Sequence, residues 1–392
     1  MIDKIYDDRM QYLDKEVFYC KKCVNSNQRH GLIFDENGVC DACRYNYEKD
    51  NIIDWEKREK ELRELTDLHR SKDGSFDVIV PASGGKDSCY VAHQLKYVYG
   101  MHPLCVTWAP AMYTDIGWEN VKSFVNLFDT TIHFPNRHIH GKLSRLGFEL
   151  YGDTFEPWHC GMKAFPLHMA IKYKIPLIFY GEKTGVEYGG MTRGKESPLE
   201  IDVDREVMKK LHRLDILTDE GMKHGIFNES EIEEKSLEMY NYPSESIINE
   251  MDIQVNWFSY YKKWIPKDNY FYAQKHCGFE TNQERTEGTY SKYASLDDKI
   301  DDIHFYMQYI KLGFGRCTSE ASQEIRSGII TREEGIELVH KYDGEFPEKY
   351  FNECLDYMDI TEEHFYKVVD KFRLPHLWEK KDGEWRLRHK VS

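Results

Sequence analysis

The most constraining feature of this chain is an apolar strand that runs straight into a two-glycine turn and then a helix. Phe76-Asp77-Val78-Ile79-Val80-Pro81-Ala82 leads into Ser83-Gly84-Gly85-Lys86-Asp87-Ser88, and a helical pattern follows from Cys89 to Tyr97. Two adjacent glycines let the backbone bend with positive φ and approach a ligand with no Cβ in the way. The helix start behind them presents unpaired N–H groups and the positive end of its dipole. Such a turn is built to hold pyrophosphate, from Ala82 onward. Ser83 and Ser88 add hydroxyl donors, Lys86 a charge, and Asp87 a ligand for the Mg²⁺ that accompanies nucleotide phosphates. Neither the G-x-x-x-x-G-K-[ST] loop nor a dinucleotide-binding fingerprint is present.

A chain of 392 residues, 41% of them hydrophobic, is enough for two or three compact units. Its 68 acidic and 53 basic side chains give a formal net charge of -15. That balance repels polyphosphate and argues against a broad nucleic-acid footprint. No stretch approaches the roughly 18 apolar residues of a membrane span, and the start shows no signal-peptide core, so a cytoplasmic location is expected. Ten cysteines in a reducing compartment point to metal binding or packing. Four of them, Cys20-x-x-Cys23 and Cys40-x-x-Cys43, are separated by 16 residues, the spacing of two knuckles closing one tetrahedral thiolate site. Structural Zn²⁺ is the expectation, with an iron–sulfur cluster and free thiols as alternatives. A β-hairpin is expected between the pairs, through Gly31-Leu32-Ile33-Phe34 and Asp35-Glu36-Asn37-Gly38.

The expected organisation is a zinc ribbon over 1–53, a linking helix over 54–72, a nucleotide-binding unit over 73–265 and a helical region over 266–392. Within the third unit strands and helices alternate. Strands are expected at Phe76 to Val80, Pro103 to Trp108, Thr130 to Phe134, Pro176 to Tyr180 and Ile253 to Phe258, with helices near Asn120 to Phe128, Lys142 to Tyr151 and Phe165 to Tyr173. Alternation specifies an α/β fold, a parallel sheet with helices on both faces and its ligands at the carboxyl ends of the strands. A charged insertion of surface helices interrupts it near 191–250, carrying Arg205, Lys209 and Lys210.

At those strand ends the loop Gly181-Glu182-Lys183-Thr184-Gly185-Val186-Glu187-Tyr188-Gly189-Gly190 offers carboxylates, Glu182 foremost because it follows a strand; a mobile surface loop is the alternative. Cys160 stands alone, open to thiol catalysis, substrate lining or simple packing. His133, His138 and His140 read as solvated or packed, having no carboxylate or cysteine at metal spacing. Gly288-Thr289-Tyr290-Ser291-Lys292-Tyr293 and Gly313-Phe314-Gly315-Arg316-Cys317-Thr318 each combine glycine turns, aromatics and a cation. Either they grip a polar, partly anionic small molecule or they are a pair of helix caps.

The glycine turn resembles the PP-loop of the ATP pyrophosphatases, the superfamily of GMP synthetase, asparagine synthetase, NAD synthetase and the tRNA thiolases. The four-cysteine ribbon, the Gly181 to Gly190 loop and the segment Tyr309-Ile310-Lys311-Leu312-Gly313-Phe314-Gly315-Arg316 make the whole chain look like the N-acetyl sugar amidotransferases of surface-glycan biosynthesis. That family includes enzymes of O-antigen and of pseudaminic or legionaminic acid pathways. The resemblance implies an adenine nucleotide alpha hydrolase-like fold and use of ATP, Mg²⁺ and Zn²⁺. It also implies conversion of an acetamido group on an N-acetyl sugar, nucleotide-linked, to an acetamidino group. Lys86, Asp87 and Glu182 would be catalytic, and Ala82, Ser83, Gly84, Gly85, Ser88 and Gly181 would hold the nucleotide. Thr107 and Trp108 lie where superfamily members hold adenine, although Trp108 reads equally as a core residue. Cys160, Glu187, Tyr188, Lys292 and Arg316 are the candidates for the sugar.

No glutaminase signature accompanies these motifs: Ile2 follows Met1 where an N-terminal nucleophile would need cysteine, and His159-Cys160-Gly161 is not a nucleophile elbow. The resemblance supplies ammonia from separate glutaminase and cyclase-like subunits. The rival readings are a tRNA thiolase, which predicts a basic face and further catalytic cysteines, and a non-catalytic ribbon scaffold.

Overall fold

The computed structural model describes residues 2, 4–190, 197, 214–228, 230–232 and 237–392, with the side chains of 8 and 9 left aside. Arg205, Lys209 and Lys210 lie outside the described residues.

Five strands form one parallel sheet: β1 (Val78–Pro81), β2 (Pro103–Trp108), β3 (Thr130–His133), β4 (Leu177–Tyr180) and β5 (Gln254–Trp257). Their order is β3-β2-β1-β4-β5, with Ile79 opposite Ile178 and Val80 opposite Cys105. β1 and β2 are short β-branched or apolar runs buried almost throughout, as strands covered on both faces must be. The chain winds outward from β1 to β3, returns to place β4 beside β1, and winds the other way. A crevice therefore opens above the carboxyl ends of β1 and β4, where the winding reverses.

Helix α1 (Asp41–Asn51) leaves directly from Cys40, and α2 (Trp55–His69) starts where the Asp54 carboxylate accepts from Lys57 N–H. The remaining helices of the sheet layers are α3 (Lys86–His93), α4 (Asp115–Val125), α5 (Arg137–Tyr151) and α6 (Glu156–Tyr173). Thr114 caps α4, Asn136 caps α5, and Gly152 at φ 59° closes α5 in the left-handed region. One sheet face packs Ile79, Val106 and Ile178 against Leu143, Leu146, Phe165 and Leu167. The other packs Val78, Val80 and Phe179 against Cys89, Phe258, Trp264 and Ala273.

Several details differ from the sequence reading. The hairpin between the cysteine pairs is reduced to isolated bridges, Tyr19 with Ser26 and Phe34 with Cys40. Its turn is in place, with Gly38 at φ 75° and Gly38 N–H donating to Asp35 O at 3.0 Å. The helix expected from Phe165 begins nine residues earlier, at Glu156, because Pro157 sits at its first turn and Gly161 lets it approach the sheet. A Cβ on Gly161 would lie 2.0 Å from the Trp108 ring. The helix Pro266–Cys277 packs Ala273 and Cys277 into the second sheet core and so shares a layer with α3. The described parts of the charged insertion are not confined to the surface, since Leu214, Leu217 and Ile248 enter the first core.

Beyond residue 300 a third core forms from Ile303, Met307, Ile310, Cys354, Phe365 and Val369, and it receives Phe148 and Phe155 from the sheet layers. Across that junction His304 Nδ1 and Asp153 Oδ1 are 2.8 Å apart, both largely buried. Burial works against the Asp153 carboxylate, but the His304, His159 and Lys311 charges outweigh it and hold the group well below its usual range. Burial likewise disfavours the charged imidazole, and the Asp153 charge more than compensates, raising His304 above its ordinary 6.5. A depressed carboxyl stabilises the fold above its unfolded value and loses that contribution as pH falls; a raised imidazole stabilises below 6.5 and loses it as pH rises through its folded value. The pair thus contributes most between the ordinary aspartate value of 3.8 and that of histidine, 6.5. Asp153→Asn is expected to cost about 3–5 kcal/mol in that window, as for other buried pairs stripped of one partner, and less at alkaline pH. Melting curves of both proteins across pH test it; parallel curves would contradict it.

Candidate functional site

The glycine turn occupies the crevice at the reversal of winding. Gly84 sits at φ +82°, and a Cβ there would come within 3.1 Å of the Val121 backbone in α4, so only glycine fits. Gly85 is the N-cap of α3, and the Ser83 hydroxyl accepts from Gly85 N–H at 3.3 Å. Ser88 Oγ donates to Gly85 O at 3.0 Å, which ties the turn to the first helical turn. Lys86 and Asp87 are the first two residues of α3, so its unpaired N–H groups open toward the crevice beside them. The Lys86 ammonium pairs with the Asp87 carboxylate, whose other oxygen accepts from Asn269 Nδ2 at 3.0 Å.

Around this turn lies a cavity of about 300 Å³, walled by Ala82 to Ser88, Asn120, Trp108, Trp158, Tyr180, Gly181, Glu182, Tyr293, Asp297 and Arg316, among others. Glu182 stands on the wall as expected. Burial, reinforced by the Asp87 charge and opposed by Lys86, pushes its carboxyl up to about 8. Gly181 is held to a small side chain by Trp264, whose ring would be 3.0 Å from a Cβ. Trp108 is buried in the sheet core against His133 and Tyr240, and one part of it faces the cavity. Thr107 does not face the cavity. Strand alternation turns it away, and its hydroxyl donates to Ala82 O at 2.5 Å, which makes it a brace for the turn.

The sugar candidates separate. Arg316 reaches the cavity, and Tyr188 lines a smaller adjoining one that shares Lys86, Tyr293 and Arg316 with it. Cys160 is buried in the first core, where burial pushes its thiol well up, and it does not line the cavity. Lys292 is exposed, bonded to Gln283 O at 2.7 Å, while its neighbour Tyr293 faces inward. Glu187 is buried away from the cavity and bonded to Lys49 at 2.7 Å. His140 is buried on the core side, and burial lowers it to about 3, a packed neutral imidazole as expected.

Sequence reasoning missed Asn120, Asn269 and Asp297. Asn269 comes from the helix Pro266–Cys277 and Asn120 from α4, where it also exchanges hydrogen bonds with the Glu280 backbone. Asp297 was detectable only as one of two adjacent acids, Asp297-Asp298, ahead of a helix. Asp298 turns away to accept from Ala111 and Met112 N–H and fastens the segment to the loop after β2. A Cβ on Gly117 would meet Asp297 Cα at 2.6 Å, so the segment lies directly on α4. Asp297 itself is pushed up to about 6, by burial and then by Asp301.

The four cysteines converge as the spacing predicts, with ligand atoms all within 4.8 Å of one another and all four residues buried. Cys20 and Cys43 Sγ are 3.9 Å apart and Cys23 and Cys40 Sγ 3.7 Å. A tetrahedral zinc with Zn–S near ~2.3 Å needs edges of about 3.8 Å, so the residues fit that ion. Backbone N–H groups of Lys22 and Cys40 point at Cys20 Sγ, at 3.4 and 3.3 Å, as thiolates require. The cluster is joined to the crevice loop. Asn25 Nδ2 donates to Tyr188 O at 3.3 Å, Arg326 to Glu187 O at 3.1 Å, and Gly190 N–H to Asp41 Oδ2 at 3.3 Å.

These features define a class: a doubly wound α/β protein with a two-glycine turn at its switch point and a tetracysteine knuckle braced against the same site. Comparison with known families refines it. Residues 287–392, about a quarter of the chain, match the family described as LPS biosynthesis protein WbpG-like, C-terminal domain. That matched stretch delivers Tyr293, Asp297 and Arg316 to the cavity. No curated protein matches the chain. No described helix is long and apolar enough to cross a membrane.

Proposed function

We propose that this chain is an ATP-dependent amidotransferase of lipopolysaccharide biosynthesis, converting the acetamido group of a nucleotide-linked N-acetyl sugar into an acetamidino group. The observation that carries the reading is the glycine turn over the start of α3, enclosed in a cavity that the WbpG-like segment completes. An amide carbonyl is a poor electrophile. Its oxygen attacks the α-phosphorus of ATP, the bond to the β-phosphate breaks, and pyrophosphate leaves. Ammonia then adds to the imidate carbon, a proton is lost, and the C–O bond breaks so that the original carbonyl oxygen departs in AMP.

The residues fit those demands. Lys86 and the N–H groups of the Gly84 to Ser88 turn stabilise charge on the departing pyrophosphate. Asp87, already oriented by Asn269, would hold Mg²⁺, which neutralises phosphate charge when bound. Glu182, its carboxyl pushed up to about 8, is in its ionised form a stronger base than an ordinary carboxylate, and in that form it takes the proton released as ammonia adds. Ammonia arrives from glutaminase and cyclase-like subunits. Sulfur transfer would need a thiol on the wall, and among the described residues no cysteine lines this cavity. Incubation with ATP, ammonium and a panel of nucleotide-linked N-acetyl sugars is expected to yield a product in which NH replaces a carbonyl oxygen, detected by mass spectrometry. A product carrying sulfur, or consumption of ATP with every sugar unchanged, would refute the reading.

A further inference from the structure

Among the described residues, Arg316 is a guanidinium without a hydrogen-bond acceptor. It opens the helix Arg316–Arg326, its Nε is buried with no hydrogen-bond partner, and the described residues offer the group only the Phe305 ring, 4.5 Å from Cζ. The cost of desolvating an arginine is ordinarily met by a bidentate acceptor such as a carboxylate or phosphate. The acidic groups near enough to sustain its charge are Glu320, Asp301 and Asp87, and Asp297 and Asp302 feel it in turn, yet among the described residues none forms a hydrogen bond with it. A fork fixed against an aromatic face and left unfilled by its own chain is shaped for an anion from outside.

Its position says which anion. Among the described residues, three wall both the 300 Å³ cavity and its smaller neighbour: Lys86, Tyr293 and Arg316. The two cations therefore stand where the cavities adjoin, while Trp108, Trp158 and Tyr180 line the large cavity alone. Resting on the nucleotide reading above, we propose that Arg316 is the second cationic clamp on the β- and γ-phosphates, supplied from the C-terminal domain to face Lys86 across the junction. It binds the group that leaves, so it holds ATP before bond cleavage and pyrophosphate afterward. The C-terminal domain thereby becomes part of the nucleotide site, and nucleotide cleavage depends on its docking.

The test is calorimetric titration of the full-length protein with magnesium pyrophosphate and, separately, with AMP. Arg316→Met should weaken pyrophosphate binding by about 10–100-fold, one charge-assisted contact, and leave AMP binding unchanged. Arg316→Lys, which keeps a point charge without the fork, should recover part of the loss. Because the guanidinium makes no hydrogen bond among the described residues, the melting temperature of Arg316→Met without ligand should not fall below that of the wild type. Equal pyrophosphate affinity in wild type and Arg316→Met would overturn the proposal, as would a parallel loss of AMP binding or a lowered melting temperature with Lys unable to restore affinity. Failure of the wild type to bind pyrophosphate or AMP is a different result, and it would overturn the nucleotide reading itself.

Discussion

Lys86→Ala should lower pyrophosphate formation by about 10²–10³-fold, the effect of removing one preorganised group that meets developing charge in a desolvated site. The expectation follows from position. Lys86 is the first residue of α3, walls both cavities, and in the absence of phosphate is neutralised by Asp87. When phosphates enter, the ammonium exchanges one anionic partner for another, and Asp87 is released toward the cation that accompanies them. Losing the side chain leaves Asp87 beside the phosphates with its charge uncompensated, so nucleotide affinity should fall together with rate. The fold should survive, because among the described residues the side chain's hydrogen bond goes to Asp87 alone, and Asp87 retains its bond to Asn269. Circular dichroism and quenched-flow measurement of pyrophosphate check both halves. A mutant with wild-type turnover would remove the turn from the chemistry.

The second large effect concerns the cysteine knuckle. Cys40→Ser should abolish tight zinc binding and cost several kcal/mol of stability, since a structural zinc site contributes its binding free energy to folding. Its reach should extend beyond residues 20–43. The knuckle and α1 hold the crevice loop through four contacts: Lys49 to Glu187, Asn25 to Tyr188, Asp41 to Gly190, and the close approach of Gly31, where a Cβ would lie 2.1 Å from Gly190 O. Amide exchange in 186–190 should therefore speed up at least about tenfold on zinc removal, while β1 and β2 stay protected. Exchange unchanged in that loop would mean the knuckle is a separate module, contrary to the contacts seen.

Local chemistry was readable in the sequence wherever one segment carries its own instruction. Strand, glycine turn and helix stand together at 78–93, and Gly84 needs no distant partner to announce a left-handed turn. The cysteine spacing likewise specifies a four-ligand site, and the order of strands and helices specifies a parallel sheet. What escaped is whatever depends on two distant segments meeting. Glu187 looked like a site carboxylate because it follows a strand end by a few residues, but α1 brings Lys49 to it and turns it into a buried brace. Thr107 and Trp108 are neighbours whose fates differ because a strand sends alternate side chains to opposite faces. The early start of α6 was hidden because Trp158-His159-Cys160-Gly161 reads as irregular chain until Trp108 is placed against Gly161. Asp297 reaches the cavity from beyond residue 286, a placement that no periodicity encodes, whereas Arg316 arrives there from a glycine-flanked segment already singled out in the sequence.

The central claim is that the turn beginning at Ser83 directs cleavage of ATP between its α- and β-phosphates onto an amide oxygen. The most direct measurement supplies ATP, ammonium and an N-acetyl sugar labelled with ¹⁸O in the acetamido carbonyl, and follows the nucleotide products by ³¹P NMR. The account predicts AMP and pyrophosphate in equal amounts, with the label in the AMP phosphate. ADP with orthophosphate, or AMP free of the label, would contradict it.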